Sequence, residues 1–310
     1  MWNALYRPCG AGHDAVLMGH LKVNGARLEV DVRGVGEPIL FVQTALSADE
    51  LLPIARQPVL ADAFQTIVYH RRGYGGSSAV DGAGSIVQDA ADGAALLDAL
   101  GIERAHVVGL SFSGAIAMQL ASVAPMRVHT LTLIEPPPTH VPSAAGFRAA
   151  NVHFQAVRHG AGVGAALDQF LTLLSGPQWR TELEHSLPGS VAQMESDAAT
   201  FFDIDIPALL EWQFTAADAG HVTAPVLYVG GTDSGPMFAE VRKLMLAWLP
   251  LQSVAGCDLA IARSYCRFLP LANDRSKRSA HPLGRIREAR RADKDAAEGE
   301  TRLLNQICAV

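Results

Sequence analysis

Short apolar runs alternate with amphipathic stretches along the first 135 positions. HLKVNG, RLEVDV, PILFVQ, QTIVYH, AHVVGL and VHTLTLI read as strands, bounded by Gly, Pro, Asn and Asp. Between them, the stretch near Ser47 to Arg56 and the run SGAIAMQLASVA read as helices. In a further helix Ile86, Ala90, Ala94, Leu97 and Leu100 recur at helical spacing, with Ser85 and Gln88 as a capping pair before it and Gly101 after it. Strands separated by helices of this size predict a mainly parallel sheet with crossovers. The two opening strands, joined by Asn24-Gly25, predict an antiparallel hairpin.

The pattern changes after Pro136-Pro137-Pro138. From 142 to 220 the segments are helical with no convincing strand, and eight of the twenty aromatic residues fall there, among them Phe154, Phe170, Trp179, Phe201, Phe202 and Trp212. APVLYVGG then returns to strand, and Phe238, Val241, Leu244, Met245 and Trp248 line one helical face. After LQSVAG the alternation of sheet and helix stops. The expected organisation is an N-terminal extension over 1–18, an α/β core over 19–141 and 221–258, a helical lid over 142–220, and a basic tail over 259–310.

A chain of 310 residues is long enough for one large α/β domain with such an insertion, or for two smaller domains. It shows no uninterrupted apolar run of about 18 to 20 residues, and its N-terminus, MWNALYRPCGAGHD, lacks the pattern of a signal peptide. A soluble, cytoplasmic protein with no membrane partner is expected. Cys9, Cys257, Cys266 and Cys308 lack CxxC spacing, so free thiols are expected rather than a metal site or disulfide framework.

The net charge of −6 conceals an uneven distribution. Residues 261–310 hold eleven Lys and Arg against six Asp and Glu, which leaves fourteen against twenty-five in the first 260. Within the tail Arg287, Arg290, Arg291 and Lys294 alternate with Glu288, Asp293 and Asp295, the pattern of a solvated helix rather than a nucleic-acid-binding surface. A tail that binds an acidic partner is a further reading, and such binding collapses with salt.

The stretch HVVGLSFSGAIAMQLA, from His106 to Ala121, carries the chemistry. A nucleophilic serine on a sharp strand-to-helix bend needs small neighbours two residues to either side, and Gly109-Leu110-Ser111-Phe112-Ser113 meets that need. Ser113 also has small flanks, but a strand ending at Val108 places the bend on Ser111. Arg71 and Arg72 in YHRRGYGGSS invite a phosphate-binding reading. The glycine spacing fits neither a dinucleotide fingerprint nor a P-loop, so a structural loop beside the site is expected.

Over residues 20 to 257 the chain resembles the α/β-hydrolase superfamily. The resemblance rests on VVGLSFSGAIAMQLA, on YHRRGYGGSS at 69–78 and on VLYVGGTDSG at 227–235. It implies an α/β fold with a mainly parallel, eight-stranded type of sheet flanked by helices, and a helical lid between the sixth and seventh strands. It implies Ser111 as nucleophile, Asp233 as the acid, and Glu135 as the reserve acid after the sixth strand. The backbone N–H groups of Phe112 and Ala45 would form the oxyanion hole, with Gln43-Thr44 standing where relatives usually show His-Gly. No cofactor or metal is implied.

The resemblance also implies a histidine base after the eighth strand, but there the string reads Gly256-Cys257-Asp258-Leu259. Leucine accepts no proton. His281 is the only histidine after Asp233, while His70, His140 and His221 are more distant alternatives. The composition break after Asp258 suggests a gene end or reading frame that differs from the ancestral one. The expected function is hydrolysis of an ester, amide or similar acyl bond of a small hydrophobic molecule. The alternative is a binding protein or inactive remnant on the same fold.

Overall fold

The computed structural model describes residues 16–61, 63–231 and 234–257. In chain order the elements are β1 (Val16–Val23), β2 (Ala26–Arg33), β3 (Glu37–Val42), α1 (Leu52–Ala55), α2 (Pro58–Ala61), β4 (Phe64–Tyr69), α3 (Ile86–Ala99), β5 (Ala105–Leu110), α4 (Phe112–Val123) and β6 (Val128–Ile134). Then come α5 (Ala144–Ala161), α6 (Val163–Ser175), α7 (Trp179–Ser186), α8 (Ser190–Thr200), a π-helical turn (Phe201–Asp205), α9 (Ile206–Glu211) and α10 (Ala216–Ala219). The chain returns to the sheet with β7 (Val226–Gly231), α11 (Pro236–Trp248) and β8 (Leu251–Cys257).

The strands form one sheet in the order β1-β2-β4-β3-β5-β6-β7-β8. β1 with β2 and β2 with β4 are antiparallel, and the remaining pairs are parallel. The opening hairpin closes at Val23 opposite Ala26, with Asn24 and Gly25 both at positive φ, as a two-residue primed turn requires. β1 starts at Val16, inside the stretch expected to be an extension.

Helices cover both faces of the sheet, which explains why its central strands read as apolar runs rather than alternations. β5 is buried along its whole length. Alternate residues of β3 part to opposite sides: Ile39 and Phe41 pack with Ile54 and Leu60 on one face, Leu40 and Val42 with Leu97, Ile116 and Leu120 on the other. Ser85 caps α3 by accepting the Gln88 N–H, but the Gln88 side chain bonds Asp92 instead of closing the box. The helix expected from Ser47 shrinks to α1, whose first turn contains Pro53. A proline there supplies no backbone donor and fits only a helix start.

Backbone strain is concentrated at one end of the sheet. Among the described residues the non-glycine positions at positive φ are Asn24 in the hairpin and Leu46, Ser111 and Glu135. The last three follow β3, β5 and β6, three neighbouring central strands, at their C-terminal ends. Such conformations cost about 1–3 kcal/mol each and cluster where function demands them.

Candidate active site

The turn after β5 is built by close approach. A Cβ on Gly109 would lie 2.5 Å from the Ser113 carbonyl oxygen and 2.8 Å from Ala117 Cβ, and one on Gly114 would lie 2.8 Å from Pro136 Cβ. Glycine is therefore required at both positions for α4 to fold back against β5 and the Pro136 segment. β5 takes in the whole of AHVVGL to Leu110, two residues past the Val108 end used to place the bend, and the bend falls on Ser111, at φ 50° and ψ −119°. The Ser111 N–H donates to the Ile134 carbonyl at 2.9 Å.

The two serines have different surroundings. Ser113 is wholly buried, and its hydroxyl accepts the Leu110 N–H at 2.9 Å and donates to the Leu110 carbonyl at 3.0 Å. It completes the turn. Ser111 is half-buried, and its hydroxyl has no hydrogen-bond partner among the described residues.

β3 pairs with β5 in a register that sets Val42 beside Gly109, so the loop after β3 rises next to the Ser111 turn. Thr44 Oγ1 donates to the Leu110 carbonyl at 2.9 Å and ties the two together. Within that loop the Ser47 N–H donates to the Ala45 carbonyl and the Leu46 N–H to the Tyr74 hydroxyl at 3.0 Å. Ala45 and Phe112, expected to supply two N–H donors, are both buried.

One interaction the sequence reading missed lies beneath this loop. Arg71 is 2% exposed; its Nε donates to the Gln43 carbonyl at 3.2 Å, and its backbone N–H donates to Gln43 Oε1 at 2.6 Å. Its Nη1 donates to Asp89 at 2.8 Å and Asp205 at 3.1 Å, and its Nη2 to Asp205 at 2.6 Å. The guanidinium lies 4.9 Å from the Tyr74 ring centroid and 4.6 Å from that of Phe112. Burial pushes the Asp89 carboxyl up to about 6, against the pull of Arg71. The glycine-rich setting of Arg71 is visible in the sequence, but its partner Asp205 is 134 positions away and no spacing marks it.

Glu135 is 3% exposed at the end of β6 and accepts the Gly231 N–H at 2.8 Å. Burial raises its carboxyl above the ordinary value, opposed by the bonds from Ser234 and Gly231. Asp233, Leu259 and His281 lie outside the described residues.

Of the other histidines considered as base, only His70 has its ring nitrogens bonded; the His140 Nε2 is buried with no hydrogen-bond partner among the described residues. His140 packs against Trp212 and Trp248, with ring centroids 5.1 and 6.1 Å away. Trp212 Nε1 donates to Gln119, which follows Ser111 by about 12 Å of α4 at 1.5 Å per residue. His221 is exposed just after α10, a helix fastened to Ser122 near the far end of α4. His70 has both ring nitrogens engaged, Nδ1 with Glu29 at 2.8 Å and Nε2 with Asp49 at 2.9 Å.

His70 has a consequence for pH instead. Burial pulls its proton affinity down, but the bonds and charges of Asp49 and Glu29 outweigh that and hold its pKa above the ordinary value. Asp197 and His20 also act on this cluster, and Glu29 and Asp49 are themselves shifted down, so they stay ionised throughout the histidine's range. A raised folded pKa gives stability that is fully present below about pH 6.5 and is lost as pH climbs through the folded value. His70→Gln is therefore expected to lower the melting temperature more at pH 6 than at pH 9. A deficit independent of pH, read by thermal denaturation across that range, would contradict the charged clamp.

The sheet order, the crossovers and the strained serine turn define the class. Residues 51–159, about a third of the chain, match the family model described as alpha/beta hydrolase fold, and the sheet has that fold's arrangement. It is 38% identical over 109 residues to a protein of Azorhizobium caulinodans assigned as carbamate hydrolase RutD, covering 35% of this chain and 41% of that one. It is 34% identical over 167 residues to homoserine O-acetyltransferase of Deinococcus radiodurans, covering 48% and 49%. The chain thus matches half or less of the length of these curated relatives. Among solved structures, a thermophilic esterase from Thermogutta terrifontis superposes with a TM-score of 0.64 at 20% identity, covering 81% of this chain and 94% of that one. Among the described residues no group of three or more side chains could hold a metal ion, and no helix is long and apolar enough to cross a membrane.

Proposed function

We propose that the protein is a serine hydrolase that cleaves an ester, amide or similar acyl bond of a small hydrophobic substrate. The observation that carries this reading is Ser111, the one residue of the turn held at positive φ, with a hydroxyl that bonds nothing among the described residues. Its oxygen attacks the carbonyl carbon while its proton passes to a base. The Phe112 and Ala45 N–H groups receive the charge that develops on the carbonyl oxygen. Collapse of that intermediate expels the leaving group, which takes the proton back, and water then releases the acyl group from Ser111 by the same steps. Asp233 is the acid in this scheme, Glu135 its substitute, and His281 the candidate base. The helices between β6 and β7 form the lid. Carbamate hydrolysis and O-acetyl transfer, the activities in the relatives' names, both take place at a carbonyl carbon, in keeping with this reading.

A second reading, a binding protein or inactive remnant on the same fold, is favoured by the engagement of both His70 ring nitrogens and by Leu259 at the expected histidine position. A fluorophosphonate probe separates the two, because rapid phosphonylation of serine requires a base. Slow labelling at Ser111, located by peptide mass spectrometry, is expected for the natural chain. Leu259→His should accelerate it about ten to a thousandfold. Robust p-nitrophenyl ester turnover that His281→Ala abolishes would show that the tail supplies the base and that the site is complete. No labelling of Ser111 in either the natural chain or Leu259→His would favour the binding reading.

A further inference from the structure

We propose that Arg71, Tyr74 and Asp205 are positioning residues that hold both arms of the oxyanion hole and make their placement depend on the helical insertion. This rests on the reading of Ser111 as the nucleophile. The first arm is the loop after β3. Arg71 grips both the carbonyl and the side-chain oxygen of Gln43. Tyr74, completely buried, receives the Leu46 N–H on its hydroxyl oxygen. Leu46 is itself at φ 69°, a conformation that needs its surroundings to hold it, and Ala45 lies between these two fixed points. The second arm is Phe112, whose ring is stacked on the Arg71 guanidinium.

Asp205 fixes the two bracing groups at once. Its carboxylate takes a forked pair of bonds from the Arg71 guanidinium and a 2.5 Å bond from the Tyr74 hydroxyl. Asp205 is 2% exposed and belongs to the π-helical turn of the insertion, not to the sheet. Four of the five guanidinium N–H donors are used within the protein, so Arg71 is a brace and not an anion site. The neighbouring Arg72 makes the comparison. It pairs with Asp92 and the Asn24 carbonyl, on the side of α3 and the opening hairpin, and among the described residues makes no hydrogen bond to the oxyanion loop.

The test compares Tyr74→Phe, which deletes one oxygen, with Arg72→Gln, which breaks an ion pair in the same loop. For Tyr74→Phe the expected results are a kcat on p-nitrophenyl acetate about tenfold lower, a KM within about twofold, and Leu46 amide exchange about tenfold faster. Arg72→Gln should leave kcat and Leu46 exchange unchanged. Equal effects of the two substitutions on kcat, or unaltered Leu46 exchange in Tyr74→Phe, would overturn the proposal. If the natural chain turns over ester no faster than Ser111→Ala, the hydrolase reading fails. Leu46 exchange then decides the brace alone: acceleration in Tyr74→Phe but not in Arg72→Gln upholds it, and any other pattern refutes it.

Discussion

Ser111→Ala is expected to lower hydrolysis of a short p-nitrophenyl ester by about 10⁴-fold if the triad is complete, leaving what the oxyanion hole and binding supply, and to extinguish serine-dependent turnover in any case. Ser113→Ala should cost less than about tenfold in rate. Stability should show the opposite ranking. The Ser113 hydroxyl satisfies a buried backbone N–H and carbonyl of Leu110, so its loss is expected to cost about 1–3 kcal/mol. The Ser111 hydroxyl bonds nothing among the described residues, so alanine there should be nearly neutral. Glycine at 111 should melt higher than alanine, because alanine keeps the cost of positive φ and glycine does not. Kinetics and thermal denaturation of the three variants check this crossed pattern. Loss of activity in Ser113→Ala alone would exchange the roles of the two serines.

Asp205→Ala is expected to be the most damaging single change to stability, by about 3–5 kcal/mol, because it leaves a buried guanidinium short of its forked partner. Asp89 remains to Arg71, but through one bond from Nη1, which does not replace the forked pair. Tyr74 loses its acceptor in the same step. In a domain of this size the expected fall in melting temperature is roughly 6–20 °C. Asp203→Ala is the matched control. It lies in the same turn and pairs with Arg158, but at 43% and 29% side-chain exposure, and its loss should cost less than about 1 kcal/mol. Equal melting temperatures for the two variants would show that the buried network contributes nothing net.

The sheet was legible because its central strands are covered on both faces and so appear as apolar runs, and the serine turn because close packing leaves only glycine at 109 and 114. Gly109 lies inside β5, which has the bounds read for AHVVGL, and its missing Cβ is what lets α4 approach. The helix from Ser47 was over-read because the periodicity ignored Pro53. Arg71 was recognised as structural, but the object it supports was not, since a bond between residues 134 positions apart leaves no local trace. Gln43 in place of the usual histidine made the oxyanion loop look anomalous. In the structure both of its oxygens are held by Arg71, a role that only the fold reveals.

The π-helical turn also fixes how much length variation the insertion can bear. Asp197 receives the Gly75 N–H and Thr200 donates to the Gly73 carbonyl, so both face the loop that carries Arg71. At 100° per residue an unbroken α-helix would continue that stripe with residue 204, not 205. One extra residue in the turn brings Asp205 round and leaves Ile204 against Gly84. The carboxylate is thus keyed to the core by a count of residues. Substitutions at the exposed Asp203 preserve that count, and removing one residue between Thr200 and Asp205 while closing the turn to an unbroken α-helix would also keep the carboxylate on the stripe, whereas one inserted residue would turn it away by about 100°. Relatives that keep this brace are therefore free to vary the insertion in α5 to α7, while the segment that joins α8 to α9 is held to two lengths, five residues with the π-helical turn or four in regular α-helix.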